Sequence, residues 1–402
     1  MPVSRRKFIQ LSSLASAALL VPKFLKAFEY NPMPTAISGE KVLVIIQLSG
    51  GNDGLNTIIP YRNDIYYGSR PKLAIDRASA LSLNDDAGIH PALQQVKSLY
   101  DQGFVSILND VGYPRPDRSH FRSMDIWQTG SRADELLTTG WIGRYLDGSC
   151  ADCDDHNTRA IEVDDTLSLA MKGRDRSALA VSDVNKFYKA ASDPFFKKIA
   201  ATHAEEHEAQ LADYLYKTLH ETVSSADYVF QQSKIYKSTQ VYPDTALGKR
   251  MKTIGSLINA HADTKVYYVS HGSFDTHVGQ SQRQEQLFKD LDNSIAALVA
   301  DLKQNNRFSD VLIMTFSEFG RRVAQNASNG TDHGTANNMF MISGGLKKAG
   351  LYNPLSDLTN LDEGDLRYQL DFKQVYATIL DNWLDGASRN VLNKKYQVLD
   401  FV

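Results

Sequence analysis

Lys41-Val-Leu-Val-Ile-Ile-Gln-Leu48 runs without a break into Ser49-Gly50-Gly51-Asn52-Asp53-Gly54. The first part is β-branched and apolar with no polar alternation, the pattern of a strand covered on both faces of a parallel sheet. The second part is made of residues that favour tight turns. The same succession recurs along the chain. Phe104–Leu108 ends at Asn109-Asp110, Lys265–Val269 at Ser270-His271-Gly272, and Asp310–Phe316 at Ser317-Glu318. Between these runs, Pro91–Gln102 and Gln280–Asn305 repeat apolar residues every three or four positions, which predicts helices. Alternating β and α units predict a three-layer α/β/α fold built on a doubly wound, mostly parallel sheet. Residues of about 185–262 read as a helical insertion, and no repeat or low-complexity linker interrupts the chain. A single α/β domain over 38–402 is therefore expected.

Composition narrows the function classes. With 402 residues, 42% hydrophobic and 23% charged, the chain is neither disordered nor a multi-span membrane protein. Its net charge of −3 conceals a division: the first 27 residues hold five basic residues and no acid, leaving 39 basic against 47 acidic residues in the remainder. A body with a net charge of −8 lacks the clustered cations that nucleic-acid binding requires.

Arg5-Arg6-Lys7-Phe8 leads into the apolar, Ala- and Ser-rich run Leu11–Val21. That is the layout of a twin-arginine signal over residues 1–28, with an apolar run too short to span a bilayer. It predicts the twin-arginine export machinery as a partner, a periplasmic or extracellular location, and no transmembrane span in the mature chain. The only cysteines form Cys150-Ala-Asp-Cys153, which reads as a local disulfide because no second pair completes a structural zinc site. His203-Ala-Glu-Glu-His207 lacks the glutamate that a zincin motif needs at its second position, and it reads as a solvated helix face.

In open α/β sheets ligands bind beyond the carboxyl ends of the strands. Here those ends carry Asp53, then His271, Asp275 and His277, then Glu318, and after it Asp332 and His333. Imidazoles combined with carboxylates predict a divalent metal, zinc or manganese rather than calcium, and no organic cofactor. Each residue also has a local reading. Asp53 would cap the next helix and Asp275 the helix at 280, Glu318 would pair with Arg321 or Arg322, and Asp332-His333 would close a turn. Their collection at one end of several strands favours Asp53, Asp275, His277, Glu318, Asp332 and His333 as the metal set.

A second concentration is Arg115-Pro-Asp-Arg118-Ser119-His120-Phe-Arg122. From Ser119 the spacing turns helical, so Ser119 stands at a helix N-terminus, where free N–H groups attract anions. Its hydroxyl suits either a cap or a nucleophile. His120 is placed to assist proton transfer or bind metal, and Arg122 to hold an anionic group.

The segments Leu48–Asn56, Arg118–Gly130, Gly140–Asp147, His271–His277, Thr315–Arg322 and Gly330–Ala336 together resemble an exported family, domain of unknown function 1501. That family is similar to the alkaline phosphatase and sulfatase superfamily. The resemblance implies an alkaline-phosphatase-like fold and a metal-dependent hydrolase of phosphate or sulfate esters, acting on a small anionic ester. Asp53 matches the aspartate after the first strand, and Ser119, ten residues before Thr129-Gly130, matches the nucleophile. Asp275, His277 and His333 match metal ligands. Where the superfamily has Asp-His-Gly, this chain has Glu318-Phe319-Gly320, which leaves one imidazole fewer. That departure supports the alternative expectation of a non-catalytic binding or assembly protein on a hydrolase-like scaffold.

Overall fold

A computed structural model describes residues 41–149, 158–194 and 210–402. The twin-arginine segment, both cysteines, His203 and His207 lie outside the described residues.

The run that opens the fold forms β1 (Val42–Leu48), buried at every position. Val42, Val44, Ile46 and Leu48 enter one apolar cluster and Leu43 and Ile45 the other, so alternate side chains fill opposite faces of the sheet. Removing both faces from water is what permits an uninterrupted apolar strand. The neighbouring strands are β2 (Val105–Gly112), β3 (Ala160–Glu162), β4 (Leu179–Ala180), β5 (Val266–His271) and β6 (Val311–Phe316). A hairpin of β7 (Arg321–Gln325) and β8 (Thr331–His333) stands apart from the sheet, and β9 (Asn337–Ile342), β10 (Gly350–Leu351) and β11 (Leu370–Asp371) return to it. The order is β10-β2-β9-β6-β1-β5-β3-β4, with β11 also paired to β2. All pairings in it are parallel except those of β9, which runs antiparallel to β2 and β6.

The longer helices among the described residues are α1 (Gln94–Asp101), α2 (His120–Thr129), α3 (Trp141–Ser149), α4 (Val184–Ala191), α5 (Gln210–Ile235), α6 (Ala246–Asn259), α7 (Gln280–Gln304) and α8 (Phe372–Asn382). Apolar residues of α1, α6 and α7 enter the first cluster and those of α2, α3 and α8 the second. The fold is thus mixed α/β in three layers around a mostly parallel sheet. The described part of the expected insertion is helical, in α4, α5 and α6, although α6 also packs into the sheet core. No helix among the described residues is long and apolar enough to cross a membrane.

Two expectations are corrected. Asn109-Asp110 is not a turn, because β2 continues through it to Gly112. The buried polar groups are satisfied by distant partners: Asn353 Oδ1 accepts the Asn109 N–H at 2.8 Å, and Gln369 Nε2 donates to Asp110 at 2.7 Å. The helix expected from Pro91 begins at Gln94, where Asp292 of α7 accepts the N–H groups of Gln95 and Val96 at 3.0 and 2.8 Å. A carboxylate from another element caps this helix, so its start has no local signal.

Candidate metal centre

The carboxyl ends of β1, β2, β5 and β6 open onto one edge, where the turn after β1 sets the spacing. Gly50 has φ +120, and a Cβ there would stand 2.4 Å from the Asp275 amide nitrogen. Gly51 has φ +77 and would meet the Phe319 ring at 2.3 Å. The paired glycines therefore let the loop after β5 and the Phe319 ring close against β1. Glu318, buried at the end of β6, accepts the Gly50 N–H at 2.8 Å and joins these ends from the other side.

Three histidines converge on Asp275 in a common arrangement. His120 opens α2 and turns its Nδ1 to Glu318 Oε1 at 2.8 Å. His277 turns its Nδ1 to Asp332 Oδ1 at 3.1 Å, and His333 donates from Nδ1 to the Arg118 carbonyl at 2.8 Å. With each Nδ1 occupied by an acceptor, each Nε2 is left facing inward. The Nε2 atoms of His277 and His333 are 3.0 Å apart, and each lies 3.2 Å from Asp275 Oδ1. His120 Nε2 is 3.6 Å from Asp275 Oδ2. One donor atom each from His120, Asp275 and His333 fall within 4.8 Å of one another.

The donor atoms of His120, Asp275 and His333 make a possible cation site, and His277 lies outside that group. A tetrahedral zinc ion bound at about 2.0–2.1 Å separates its donors by roughly 3.3 Å. An imidazole whose remote nitrogen is fixed by a carboxylate or carbonyl is also the usual form of a metal-ligating histidine.

The surrounding charges are set by the same contacts. The hydrogen bond to Glu318 raises the His120 pKa, outweighing burial. Burial lowers His333, and the charges of Arg321 and His120 add to the effect. Burial would raise Asp275, but hydrogen bonds from Arg321 and His333 leave its carboxyl below the ordinary range. Arg321, fully buried, donates to Asp275 Oδ1 at 2.7 Å and to the carbonyls of Gly51, Thr331 and Phe274 at 2.6, 2.9 and 3.0 Å. It therefore fixes the carboxylate while bracing the β1 turn and the hairpin. The Phe319 ring backs the His120 and His333 rings at 4.9 and 4.6 Å between centroids.

The remaining expected site residues are placed differently. Asp53 is buried and caps the short helix Gly54–Thr57, accepting from the Leu55 and Asn56 amides at 3.2 and 3.4 Å. Its other oxygen takes hydrogen bonds from Arg70 and Gln280. The local capping reading thus describes Asp53, which leaves no free oxygen for the cluster. Glu318 and Asp332 stand behind imidazoles rather than among the converging Nε2 atoms. His271 points away, with its Nε2 against the Leu287 carbonyl at 3.1 Å.

Ser119 is the exposed N-cap of α2, and its hydroxyl has no hydrogen bond among the described residues. Arg122 does not face the cluster: its Nη2 donates to the carbonyls of Ala133 and Glu135 at 3.0 and 2.6 Å, tying down the loop after α2. The sequence reading missed Arg70 and Gln280, and of its local alternatives the pairing of Glu318 with Arg321 is replaced by Arg321 with Asp275. Nothing local marks Arg70 as the counter-charge of Asp53.

The family model described as protein of unknown function (DUF1501) matches residues 106–382. The chain belongs to this family. The DUF1501 segment contains all three converging histidines with Asp275, Glu318 and Asp332, whereas the β1 turn and Asp53 precede it. No curated protein matches the sequence. Among solved structures, a sulfatase from Pseudoalteromonas sp. is similar at 11% identity and a TM-score of 0.39, covering 100% of this chain and 75% of that one. A protein of the alkaline phosphatase superfamily from Vibrio parahaemolyticus is similar at 9% identity and a TM-score of 0.35, covering 88% and 72%. A phosphonate monoester hydrolase from Silicibacter pomeroyi gives 10% identity and a TM-score of 0.36, covering 89% and 78%.

Proposed function

We propose that this DUF1501 chain is an exported, metal-dependent hydrolase of phosphate or sulfate esters. The observation that carries the reading is the convergence of the His120, His277 and His333 Nε2 atoms on Asp275, with every Nδ1 held from behind. In this reading His120, Asp275 and His333 hold a zinc or manganese ion with His277 beside them, while Glu318, Asp332 and the Arg118 carbonyl orient the rings. A bound cation supplies polarisation of the ester oxygen and a lower pKa for the attacking group. Ser119 attacks phosphorus or sulfur through Oγ, and the alcohol departs with the proton that the hydroxyl gave up. Water then cleaves the seryl ester, releasing phosphate or sulfate and restoring the hydroxyl. The paired arginines ahead of Leu11–Val21 support twin-arginine export to the periplasm or cell exterior.

A second reading, a non-catalytic binding or assembly protein, is favoured by two observations. Ser119 has no hydrogen-bonded base, and Arg122 is committed to loop carbonyls. The two readings separate on one experiment: purified protein is assayed for bound divalent ions and then screened, with zinc or manganese, on phosphate mono- and diesters and sulfate esters. Turnover that is lost in Ser119→Ala and in Asp275→Ala supports the hydrolase. A stoichiometric ion without turnover of any ester supports the binding reading, and absence of an ion removes the metal centre from both.

A further inference from the structure

A second concave feature shares no residue with the imidazole cluster. It is a cavity of about 620 Å³ between the start of α1, the 90–92 loop and α7, within the roughly 300–1,000 Å³ typical of small-molecule sites. Among its polar lining residues is His90, which is only 5% exposed. The ring packs edge-on against Phe288 at 4.9 Å, and its Nδ1 accepts the Ala92 N–H at 3.1 Å. A ring that accepts at Nδ1 carries its proton on Nε2, and Nε2 has no partner among the described residues. An unpartnered ring N–H at the wall of a cavity is free to donate to a ligand. Burial pushes the His90 pKa down to about 4, so the ring is neutral at neutral pH.

The rim has the same uncharged character. The side chains of Gln94, Gln95 and Asn293 are exposed at the cavity and make no hydrogen bond among the described residues. Ile75 and Pro91 supply apolar surface beside them. The charges present are already matched. Glu285 pairs with Lys289 at 2.5 Å, and Asp292 is taken up by the α1 amide groups at 3.0 and 2.8 Å. No unpaired cation is available to a phosphate or sulfate, and no free carboxylate to an amine.

Amides that both donate and accept, a neutral imidazole N–H and a small apolar wall together suit a ligand with many hydroxyl groups and no charge. We propose that this cavity is a binding site for a neutral saccharide unit, with His90 Nε2–H donating to one oxygen and the Gln94, Gln95 and Asn293 amides meeting its hydroxyls. The buried wall of the cavity touches the supports of the metal centre. Gln284 donates to the Asp53 carbonyl at 3.2 Å, and its neighbour Gln280 accepts from Thr331 at 2.6 Å, two residues before His333.

The test is saturation-transfer NMR on the whole protein with maltose, cellobiose, lactose and diacetylchitobiose as probes. Transfer to at least one probe is expected. Binding weakens about tenfold in the double variant Gln95→Ala/Asn293→Ala, which alters only exposed side chains, and in His90→Phe, which keeps the ring contact with Phe288. His333→Ala leaves it unchanged, so the cavity stands or falls separately from the ester-hydrolase reading. Absence of transfer from all four probes, unchanged binding in the double variant, or displacement of the saccharide by inorganic phosphate or sulfate each overturns the proposal.

Discussion

His277 and His333 face each other through their Nε2 atoms at 3.0 Å, and each has its other ring nitrogen fixed by an acceptor, Asp332 Oδ1 for one and the Arg118 carbonyl for the other. Two nitrogens so placed cannot both carry a proton. They are held together by one shared proton or by one shared cation, and Asp275 Oδ1 lies 3.2 Å from both. This relationship makes the pair a specific target for mutation.

Replacing His333 with alanine removes one converging nitrogen and leaves His277 facing solvent. The bound divalent ion is expected to fall from one equivalent to a small fraction, while the far-ultraviolet circular dichroism stays unchanged because the residue is not in the core. Elemental analysis by mass spectrometry checks this. Full occupancy in the variant would remove His333 from the site.

Glu318→Gln tests the support behind His120. One carbonyl oxygen remains to accept the Gly50 N–H, but the carboxylate hydrogen bond and charge that raise His120 are lost. Metal affinity is expected to drop by about 10–100-fold, the usual cost of losing an outer carboxylate, and the His120 pKa should fall. Chelator competition measures the first effect and NMR titration of the imidazole the second.

Asp53 and Arg70 form a buried pair, with side-chain exposures of 1% and 0%. Arg70→Met leaves an uncompensated buried carboxylate and is expected to destabilise the protein by about 3–5 kcal/mol, measured by denaturant unfolding. Asp53→Asn keeps the cap oxygen and is expected to retain a full equivalent of metal. Loss of the ion in Asp53→Asn at unchanged stability would return Asp53 to the ligand set.

Burial raises the Glu162 carboxyl to about 7, against a hydrogen bond from the Ser168 amide at 2.7 Å. Between the ordinary glutamate range and pH 7 the folded chain holds a proton that the unfolded chain releases. The resulting stability is fully present below about pH 4.5 and is lost as pH rises through 7. Glu162→Gln removes that slope, so the variant gains on the native protein as pH increases, by on the order of 1–3 kcal/mol at pH 8. Thermal unfolding from pH 5 to pH 8 reads the difference; parallel curves would show that Glu162 does not carry it.

Much of the architecture was legible because the sheet is buried on both faces. An apolar run such as Val42–Ile46 is required by that burial, and the turn residues after it mark the edge where ligands collect. β9, which opens on two asparagines, was not singled out as a strand, and only its pairing with β2 and β6 sets it antiparallel. Asp110 was misread for a related reason. A polar residue inside a strand resembles a turn until Ser356 and Gln369, far along the chain, supply its hydrogen bonds.

The sequence by itself determined the layered α/β fold and the histidines and acids gathered at its strand ends, since burial periodicity and turn chemistry are local properties. Only the tertiary structure decided how those residues divide. It set His120, His277 and His333 around Asp275, put Glu318 and Asp332 behind them, and gave Asp53 to Arg70. The reason is distance along the chain. His120 and Glu318 are 198 residues apart, and which carboxylate backs an imidazole depends on where two strand ends meet, which no local spacing records.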